Sequence, residues 1–350
     1  GRLAKLVGLS NPLTEEELTE WEELAYDSCT MCGRCSTVCP VGNDIVYMIR
    51  KMREGFAASG HAPEGLVGAT NRAVKIGSPM GVKLPALQAQ IRGVEAETGL
   101  KIPVDVENVD YMLLLSSMEI MNFPEFIGAV GKIFDKAGVS WTISSEAFEA
   151  TNSGIQIGVS DLAAELVQRI VDAAEKLKVK NVISPECGHA YMAIRWDGPN
   201  LVGKAFSFNV VHILEVLDEL RKAGKLKLKD KEGGSLTYHD PCQIARRGGV
   251  LEQPRNLMRE MSENFVEMPE AGQMNWCCGA GGGVSSNERA DDLRIKVFNR
   301  KKSQLDSIKV DGMVSACSNC RIHLEEGLEE YHMELPVLSL TETIAEHLAD

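Results

Sequence analysis

The chain has 350 residues, of which 44% are hydrophobic, so it can bury one large core or two to three smaller ones. Its 37 Lys and Arg residues against 50 Asp and Glu residues give a formal net charge of -13, and nucleic acid is not expected as a partner because phosphate binding needs clustered positive charge. No apolar run reaches the roughly 20 residues that a membrane-spanning helix requires.

The first part of the chain, residues 11–95, predicts helices. The segment "NPLTEEELTEWEELAYD" opens with an Asn-Pro turn and acidic residues, and "DIVYMIRKMREGF" carries apolar residues at helical spacing. Proline and glycine then punctuate "HAPEG", "IGSPMG" and "LKIPVDVEN", and the pattern changes. We therefore predict a small all-helical domain over residues 1–100.

The chain starts at Gly1, and its opening residues lack the apolar stretch of a secretory signal. We expect a trimmed or processed chain, from which an upstream piece, even a membrane anchor, could be missing. The expected location is the cytoplasm, with membrane association through a partner or through such a segment.

The segment "CTMCGRCSTVCP" has the spacing C-x2-C-x2-C-x3-C-P of a ferredoxin that holds a [4Fe-4S] cluster. Its four cysteines are Cys29, Cys32, Cys35 and Cys39. A structural zinc site would instead show two separated ligand pairs. The last cysteine of such a run often serves a second cluster. The fourth ligand is therefore Cys39 or a remote group such as Cys187, which also reads as a buried structural thiol, or the partner run lies upstream of Gly1.

From Val109 onward, short apolar strands alternate with helical segments, which predicts an α/β fold with parallel sheets. The same succession starts again at "GSLTYHDPC", which indicates an internal duplication over residues 101–225 and 226–350. Aligning "NVISPECGHAYMAI" with "GMVSACSNCRIHLE" sets Cys187 against Cys320. By the same comparison, Ser117 lies near the place of Cys242.

The second copy keeps five cysteines, in short-spaced groups typical of metal ligation in a reducing compartment. They are Cys242, Cys277, Cys278, Cys317 and Cys320. Adjacent cysteines in an extended chain point to opposite sides, so both can face one site only if the backbone bends sharply. The following glycines permit that bend and let backbone amides approach a cofactor. We therefore expect Gly279, Gly281 and Gly282 to be cofactor-binding.

Three segments of the second copy carry a family resemblance: "YHDPCQIARRGGVLEQPR", "WCCGAGGG" and "VSACSNC". They resemble the CCG, or cysteine-rich, domain of heterodisulfide reductase subunits of the D or B type and of DsrK, and "SPECGHAY" resembles the degenerate first copy of DsrK-like members. The resemblance implies that the five cysteines ligate one iron-sulfur cluster, in the best-described members a noncubane [4Fe-4S] cluster that takes up a disulfide sulfur. This chain departs from the methanogen enzymes, which carry two complete CCG sites and mostly two ferredoxin runs.

Four polar residues beside the cysteines are candidate catalytic groups. His239 and Asp240 precede Cys242 and could deliver a proton or a hydrogen bond near the cluster, although a strand-end histidine can also bond to backbone. Glu186 and His189 lie in the degenerate first copy and could shape a substrate pocket, or could only pack.

Arg246, Arg247 and Arg255 form a local basic group that could receive an acidic partner or a substrate carboxylate, although such arginines more often form ion pairs. The glycine run "GAGGG" does not match the dinucleotide fingerprint, so nucleotide binding is not predicted.

The leading hypothesis is an iron-sulfur oxidoreductase in which electrons pass from the N-terminal cluster to the CCG cluster, where a disulfide or thiol substrate is reduced or formed. The alternative is an electron-transfer subunit that relays electrons between a flavoprotein and a membrane cytochrome or quinone subunit. A zinc-stabilised scaffold is disfavoured by the arrangement of the five C-terminal cysteines.

Overall fold

The computed structural model describes residues 14–349, together with Gly8, so the predicted Asn-Pro turn at residues 11–12 lies outside the described residues. The N-terminal part is helical, and a π-helical turn, Glu23–Asp27, follows its first helix. A capping box between Thr14 and Glu17 starts that helix, and Gly60 ends the third one in the left-handed conformation. The helices are α1 (Glu15–Glu22), α2 (Arg34–Val38), α3 (Ile45–Ser59), α4 (Glu64–Ile76) and α5 (Leu84–Thr98).

The middle of the chain forms a four-stranded, fully parallel sheet with the strand order β2-β1-β3-β4. Its strands are β1 (Tyr111–Leu113), β2 (Trp141–Thr142), β3 (Asn181–Ser184) and β4 (Asn209–His212). The helices between and after them are α6 (Ser117–Asn122), α7 (Glu125–Ala137), α8 (Ser153–Ile157), α9 (Ser160–Leu177), α10 (Gly188–Tyr191), α11 (Gly198–Val202) and α12 (Ile213–Lys222), with a π-helical segment at Met192–Asp197.

The last part of the chain repeats this topology in a second parallel sheet with the order β6-β5-β7-β8. Its strands are β5 (Glu232–His239), β6 (Ser262–Phe265), β7 (Gly312–Ser315) and β8 (Val337–Ser339). Its helices are α13 (Glu252–Met261), α14 (Asp291–Asp306), α15 (Ser318–Glu330) and α16 (Leu340–Glu346), and short 3-10 turns occupy Gly272–Met274, Val284–Ser286 and Glu288–Ala290. The identical strand order confirms the α/β fold with two parallel sheets that the sequence predicts.

The strand pairing defines which positions of the two repeats correspond. Tyr111 pairs with Asn181 as Leu236 pairs with Gly312. Ser117 therefore lies at the position equivalent to Cys242, as the sequence comparison suggests.

The sequence alignment around Cys187, by contrast, is wrong by three residues. Cys187 is the N-cap of α10 with φ -141° and ψ 104°, and Cys317 is the N-cap of α15 with φ -147° and ψ 111°. Cys187 is therefore the structural counterpart of Cys317 and not of Cys320. The error arose because the sequence comparison matched cysteine spacing, whereas the backbone preserves the position of the helix start.

The largest cluster of buried apolar side chains runs through both repeats and includes Leu87 of α5, Phe134 of α7, Tyr238 of β5 and Leu324 of α15. This shared core holds the carboxyl ends of both sheets in one arrangement. The division into 1–100, 101–225 and 226–350 stays a prediction. Within residues 14–349, no helix is long and apolar enough to cross a bilayer.

Candidate functional site

Cys29 and Cys32 lie on a tight loop that leads into α2, Cys35 lies in the first turn of α2, and Cys39 caps its C-terminal end. Met31 and Gly33 both adopt left-handed conformations, with φ of 54° and 80°, which curls the backbone around the thiols. The Met31 N–H donates to Cys29 Sγ at 3.4 Å and the Asn43 N–H donates to Cys39 Sγ at 3.4 Å. Backbone amides around Cys39 lower the pKa of its thiol, which favours the thiolate that binds iron.

All five C-terminal cysteines converge at the carboxyl end of the second sheet. Cys242 Sγ and Cys277 Sγ are 3.9 Å apart. Cys278 Sγ and Cys320 Sγ lie within 4.8 Å of each other, and each has a further neighbouring thiol, Cys277 beside Cys278 and Cys317 beside Cys320. The neighbouring Cys277 and Cys320 thiols hold the pKa of Cys278 well below its ordinary value. Both adjacent cysteines thus belong to one group, and Gly279, which follows them, has a positive φ of 103°.

The two cysteine groups touch each other. The Cys32 thiol is close enough to the Cys277 thiol for each to shift the pKa of the other, and Cys277 is in turn next to Cys242. Side chains that follow Cys242 fasten this contact: Gln243 Nε2 donates to Met31 O at 2.7 Å, and an Arg246 guanidinium nitrogen donates to Cys32 O at 2.9 Å. No intervening residue separates the N-terminal motif from the C-terminal group at this point.

His239 faces the C-terminal group. Its side chain is fully buried, neither ring nitrogen has a hydrogen-bond partner within the described part of the chain, and one ligand atom of His239 lies within 4.8 Å of the Cys278 and Cys320 sulfurs. Burial lowers the pKa of His239 well below its ordinary value. Two orphaned polar atoms beside thiols indicate a polar group in this space, because buried nitrogens almost always have a partner. A backbone bond for this histidine is not observed.

Two fully buried cations flank the cysteines. Arg53 donates to four backbone carbonyls, those of Ala25, Cys29, Gln156 and Gly282. Burial lowers the pKa of its guanidinium to about 10, so the group is still charged at neutral pH. The Arg53 side chain thereby connects the N-terminal motif, the first repeat and the glycine run of the second repeat.

Lys301 is the corresponding cation beside the C-terminal cysteines. Its Nζ contacts Asn275 Oδ1 at 3.0 Å, Gln304 Oε1 at 2.7 Å and Met268 Sδ at 3.4 Å, all of which are neutral. Burial lowers the pKa of Lys301 to about 8, while the cysteine thiolates oppose that shift. A buried cation without a carboxylate partner is unfavourable unless an anion lies nearby, and a cluster held by several thiolates supplies that negative charge.

Asp240 and the C-terminal arginines form a structural network. Arg255 is buried and holds Asp240 with two bonds of 2.9 Å, and it also contacts Glu267 at 2.7 Å. Arg246 donates to the carbonyls of Cys32, Gln273 and Asn275. These two arginines are thus engaged inside the protein, which leaves them little capacity to receive an acidic partner.

The glycine run packs directly on the N-terminal motif. Gly282 has a φ of 66°, and a Cβ there would lie 2.7 Å from the carbonyl carbon and oxygen of Thr30. A Cβ on Gly281 would lie 2.7 Å from the His189 ring. The Gly282 N–H donates to His189 Nε2 at 2.9 Å, and burial lowers the pKa of His189 to about 4, which keeps this nitrogen unprotonated. His189 therefore positions the glycine run.

A cavity of about 110 Å³ opens between the two repeats, beside the C-terminal cysteines. We call it the inter-repeat cavity, and its walls include Ser117, Thr151, Cys187, His189, Gly281 and Cys317. Cys187 lies beside Cys317 and not among the N-terminal cysteines. The cavity thus occupies the place in the first repeat that corresponds to the cysteine site of the second. Glu186 is buried outside its walls and bonds to Ser339 and Thr341.

Comparisons with known proteins agree with this geometry. Residues 236–325 match the model of the CCG cysteine-rich domain family, and residues 23–43 match the 4Fe-4S binding domain. The chain is 30% identical over 355 residues to the D-type subunit of the dihydromethanophenazine:CoB--CoM heterodisulfide reductase of Methanosarcina acetivorans, covering 99% of this chain and 83% of that protein. The chain belongs to the family of D-type heterodisulfide reductase subunits.

Two further similarities place this family member in a wider group. It is 27% identical over 350 residues to the EtfAB:quinone oxidoreductase of Syntrophomonas wolfei, covering 94% of this chain but 48% of that protein. Among solved structures, a hypothetical protein from Helicobacter pylori aligns with 96% of this chain and 65% of its own, at a TM-score of 0.58 and 11% identity, which shows a shared fold only.

Membership of this family and the two matched domains establish an iron-sulfur oxidoreductase that carries two iron-sulfur clusters, one at each cysteine group. The described residues fit both clusters. The C-terminal site offers five thiols that lie close together, the buried cation Lys301 and the unpartnered His239, and the N-terminal site offers the four cysteines of one short segment beside the buried cation Arg53.

The sequence-based predictions do not include four residues of this region: Arg53, Lys301, Ser117 as a cavity residue, and Glu149, whose carboxyl group is hydrogen-bonded to Ser117 Oγ. A signal was present for the first of the two cations. Arg53 lies in one helical stripe with the buried residues Val46, Ile49 and Phe56. Because charged side chains are rarely buried without a partner, a charged residue within the apolar face of a helix indicates a specific structural or functional role.

Proposed function

We propose that this protein reduces a disulfide to two thiols, or forms the disulfide in the reverse direction, with electrons that pass from the N-terminal cluster to the C-terminal cluster. The observation that carries the proposal is the inter-repeat cavity, which brings an open space of about 110 Å³ against Cys317, one of the proposed ligand cysteines. Clusters supply one-electron steps, which divide a two-electron bond cleavage into two.

The proposed cluster ligands follow the two cysteine groups. We propose Cys29, Cys32, Cys35 and Cys39 for the first cluster, and Cys242, Cys277, Cys278, Cys317 and Cys320 for the second. The proximity of Cys32 and Cys277 supports rapid electron transfer, because these two cysteines are proposed ligands of different clusters.

Several side chains fix the shape of the inter-repeat cavity and the surroundings of the C-terminal cysteines. His189 fastens the glycine run that forms one wall of the inter-repeat cavity. Arg72 lies at the cavity with an exposed side chain, and its Nε donates to Pro79 O at 2.7 Å. His239 lies on the buried side of the C-terminal cysteines, where it can donate a hydrogen bond to cluster sulfur and so stabilise the reduced state.

A second candidate function is that of an electron relay without its own substrate. The similarity to the EtfAB:quinone oxidoreductase favours it, since that name implies electron transfer from a flavoprotein to a quinone. In this role, the partners would be a flavoprotein and a membrane cytochrome or quinone subunit, and the inter-repeat cavity would have no ligand.

The deciding experiment is anaerobic iron and sulfide quantification with EPR spectroscopy, before and after addition of a thiol under oxidising conditions. We expect about eight irons, four for each cluster, and a new paramagnetic signal that appears only with thiol. Ordinary cubane signals that ignore the thiol would contradict the disulfide function and support the relay.

The same quantification tests the ligand assignment with two matched variants. Cys278→Ala should lose the iron of the C-terminal site, and Cys187→Ala should retain all of it, although both thiols are buried near Cys317. Full iron content in Cys278→Ala would contradict the assignment.

A further inference from the structure

A hydrogen-bonded pair of side chains separates the inter-repeat cavity from a second cavity. Ser117 lines the inter-repeat cavity, and its Oγ is hydrogen-bonded to Glu149 Oε2. Glu149 lines the second cavity, which we call the outer cavity, together with Phe148, Arg169 and Ile170. The outer cavity measures about 40 Å³, which is enough room for water.

The pair is held rigidly. Glu149 Oε1 accepts from the Thr151 N–H at 2.9 Å, and the residue is bridged to Leu115 of the strand end. Ser117 Oγ is also 2.8 Å from Ser78 Oγ, which gives the hydroxyl a second partner while its proton moves. Both Ser117 and Glu149 are buried, so bulk water reaches neither of them freely.

Ser117 lies at the position that a proposed cluster ligand occupies in the second repeat. Ser117 is the first-repeat equivalent of Cys242, as the strand pairing shows. Where the second repeat presents a thiol for the cluster, the first repeat therefore presents a hydroxyl that is backed by a buried carboxyl group.

The proposed reaction needs such a group. Cleaving a disulfide consumes two electrons and two protons, and it releases two thiols. The electrons come one at a time from a one-electron reductant at the N-terminal cluster, but the protons must enter the buried cavity by another route. We propose that Glu149 and Ser117 form that proton route, an inference that rests on the proposed disulfide chemistry.

In each proton transfer, the Ser117 hydroxyl gives its proton to a sulfur of the breaking S–S bond and takes one from the Glu149 carboxyl group. The Glu149 carboxylate then regains a proton from the bulk solvent, passed on as hydronium through the outer cavity, so that each transfer consumes one solvent proton. Disulfide formation reverses each transfer. Burial raises the pKa of Glu149, which favours the protonated carboxyl group that can donate.

The test uses the anaerobic holoprotein, reduced with titanium(III) citrate and desalted, with 2-hydroxyethyl disulfide as the probe. Reoxidation is followed by cluster absorbance and by the thiol released. Glu149→Gln and Ser117→Ala should each slow reoxidation roughly a hundredfold, the usual contribution of a positioned proton donor. Asp218→Asn is the control for loss of a buried carboxylate, and its rate should be unchanged. Asp218 lines neither cavity, and among the described residues its carboxylate bonds only to Arg221, Lys222 and Asn256.

Reoxidation by a second oxidant shows whether a slower rate in a variant comes from lost proton delivery or from a general structural defect. Ferricyanide accepts electrons without protons, so the iron content of all three variants and their reoxidation by ferricyanide should match the unaltered protein. If Glu149→Gln does not fold, Ser117→Ala carries the test alone.

Each failure has a distinct signature. Unaltered disulfide rates in Glu149→Gln or Ser117→Ala would overturn the proton route and leave the proposed function standing. Equal slowing with ferricyanide would also overturn it, since the defect would then lie in electron transfer. An unaltered protein that reacts with ferricyanide but never with the disulfide would overturn the proposed function itself.

Discussion

Glu186 shows how one residue joins the two repeats. Its carboxylate accepts hydrogen bonds from Thr341 Oγ1 at 2.7 Å and from Ser339 Oγ at 3.1 Å, and its carbonyl accepts from the Ser318 N–H at 2.8 Å. All three donors belong to the second repeat, whereas Glu186 follows β3 of the first. Burial raises the pKa of Glu186 to about 7, helped by the nearby Glu342 and opposed by Arg321.

This raised pKa predicts how stability depends on pH. The folded protein binds the Glu186 proton more tightly than the unfolded chain does, so the resulting stabilisation is complete below about pH 4.5 and is lost as the pH rises through about 7. The Gln side chain of Glu186→Gln stays neutral at every pH. Relative to this variant, the free energy of unfolding of the unaltered protein should fall by up to about 3 kcal/mol between these two pH limits.

The check is the difference in heat-unfolding midpoint between the two anaerobic holoproteins at pH 5.5 and pH 8. Exposed Glu20→Gln controls for removal of a surface carboxylate. A difference between the Glu186 variant and the unaltered protein that stays constant across this range would contradict the prediction.

At the residue scale, the sequence predicts the chemistry of the cysteines better than that of their surroundings. The spacing of Cys29 to Cys39 and the "CCG" segment are visible because ligand geometry restricts them locally. The environment of Lys301 is not visible, because its partners Met268, Asn275 and Gln304 meet it only in the folded protein.

At the scale of elements, the loop after Cys278 is one of the contacts between the second repeat and the N-terminal motif, beside those of Gln243 and Arg246. Gly282 combines a left-handed backbone with a close approach to Thr30. Gly60, at the end of α3, has an equally left-handed φ of 82°, but a Cβ added there would meet no atom within 4 Å. Replacing each glycine by alanine therefore separates two effects on the protein: the strain of a left-handed backbone, which both positions share, and the clash with Thr30, which occurs only at Gly282.

Gly282→Ala should lose iron from the N-terminal site, because the new methyl group pushes the loop away from the backbone that carries Cys29 and Cys32. Gly60→Ala should retain all iron and lose only the roughly 1–2 kcal/mol that a left-handed backbone costs a residue with a Cβ. Iron quantification and heat unfolding measure both effects. Equal iron content in the two variants would show that the contact with Thr30 is dispensable.

The elements themselves are largely predictable from the sequence. Strands such as "KNVISPEC" and helices such as α9 follow from apolar patterning, and the repeated succession predicts the duplication. The alignment of Cys187 fails because it matches cysteine spacing: it misplaces β3 by two residues against β7, and the turn before α10 is one residue longer than the turn before α15. A change of turn length leaves no periodic trace in a sequence.

At the scale of the whole molecule, Arg53 connects all three parts of the fold through backbone carbonyls. Its bonds to Cys29 O at 2.8 Å and to the carbonyls of Gln156 and Gly282 place a fixed positive charge beside the first cluster. At an effective dielectric constant of about 20, a unit charge several ångströms away is worth on the order of 2–4 kcal/mol. That interaction favours the reduced, more negative cluster.

Arg53→Met should therefore lower the reduction potential of the N-terminal cluster. The decrease should correspond to more than a tenfold change in the equilibrium constant for reduction. Arg53→Lys keeps the positive charge and should retain most of the original potential. Arg50→Met is the control, since Arg50 is partly exposed and already paired with Asp197 at 2.6 Å. A redox titration monitored by EPR gives the potentials. An unchanged potential in Arg53→Met would show that the cation serves packing alone.

The row of neighbouring thiols from Cys32 through Cys277 and Cys278 to Cys320 affects how the protein recovers its clusters after exposure to oxygen. Once oxygen strips the iron, neighbouring sulfurs such as Cys242 and Cys277, 3.9 Å apart, need little movement to join as a disulfide. Such a bond would close the C-terminal site to new iron, and a bond between the neighbouring Cys32 and Cys277 would remove one proposed ligand from each site at once. Repair would then begin with a thiol reductant and only afterwards with metal, so the arrangement that shortens the path for electrons also ties the recovery of one cofactor to that of the other.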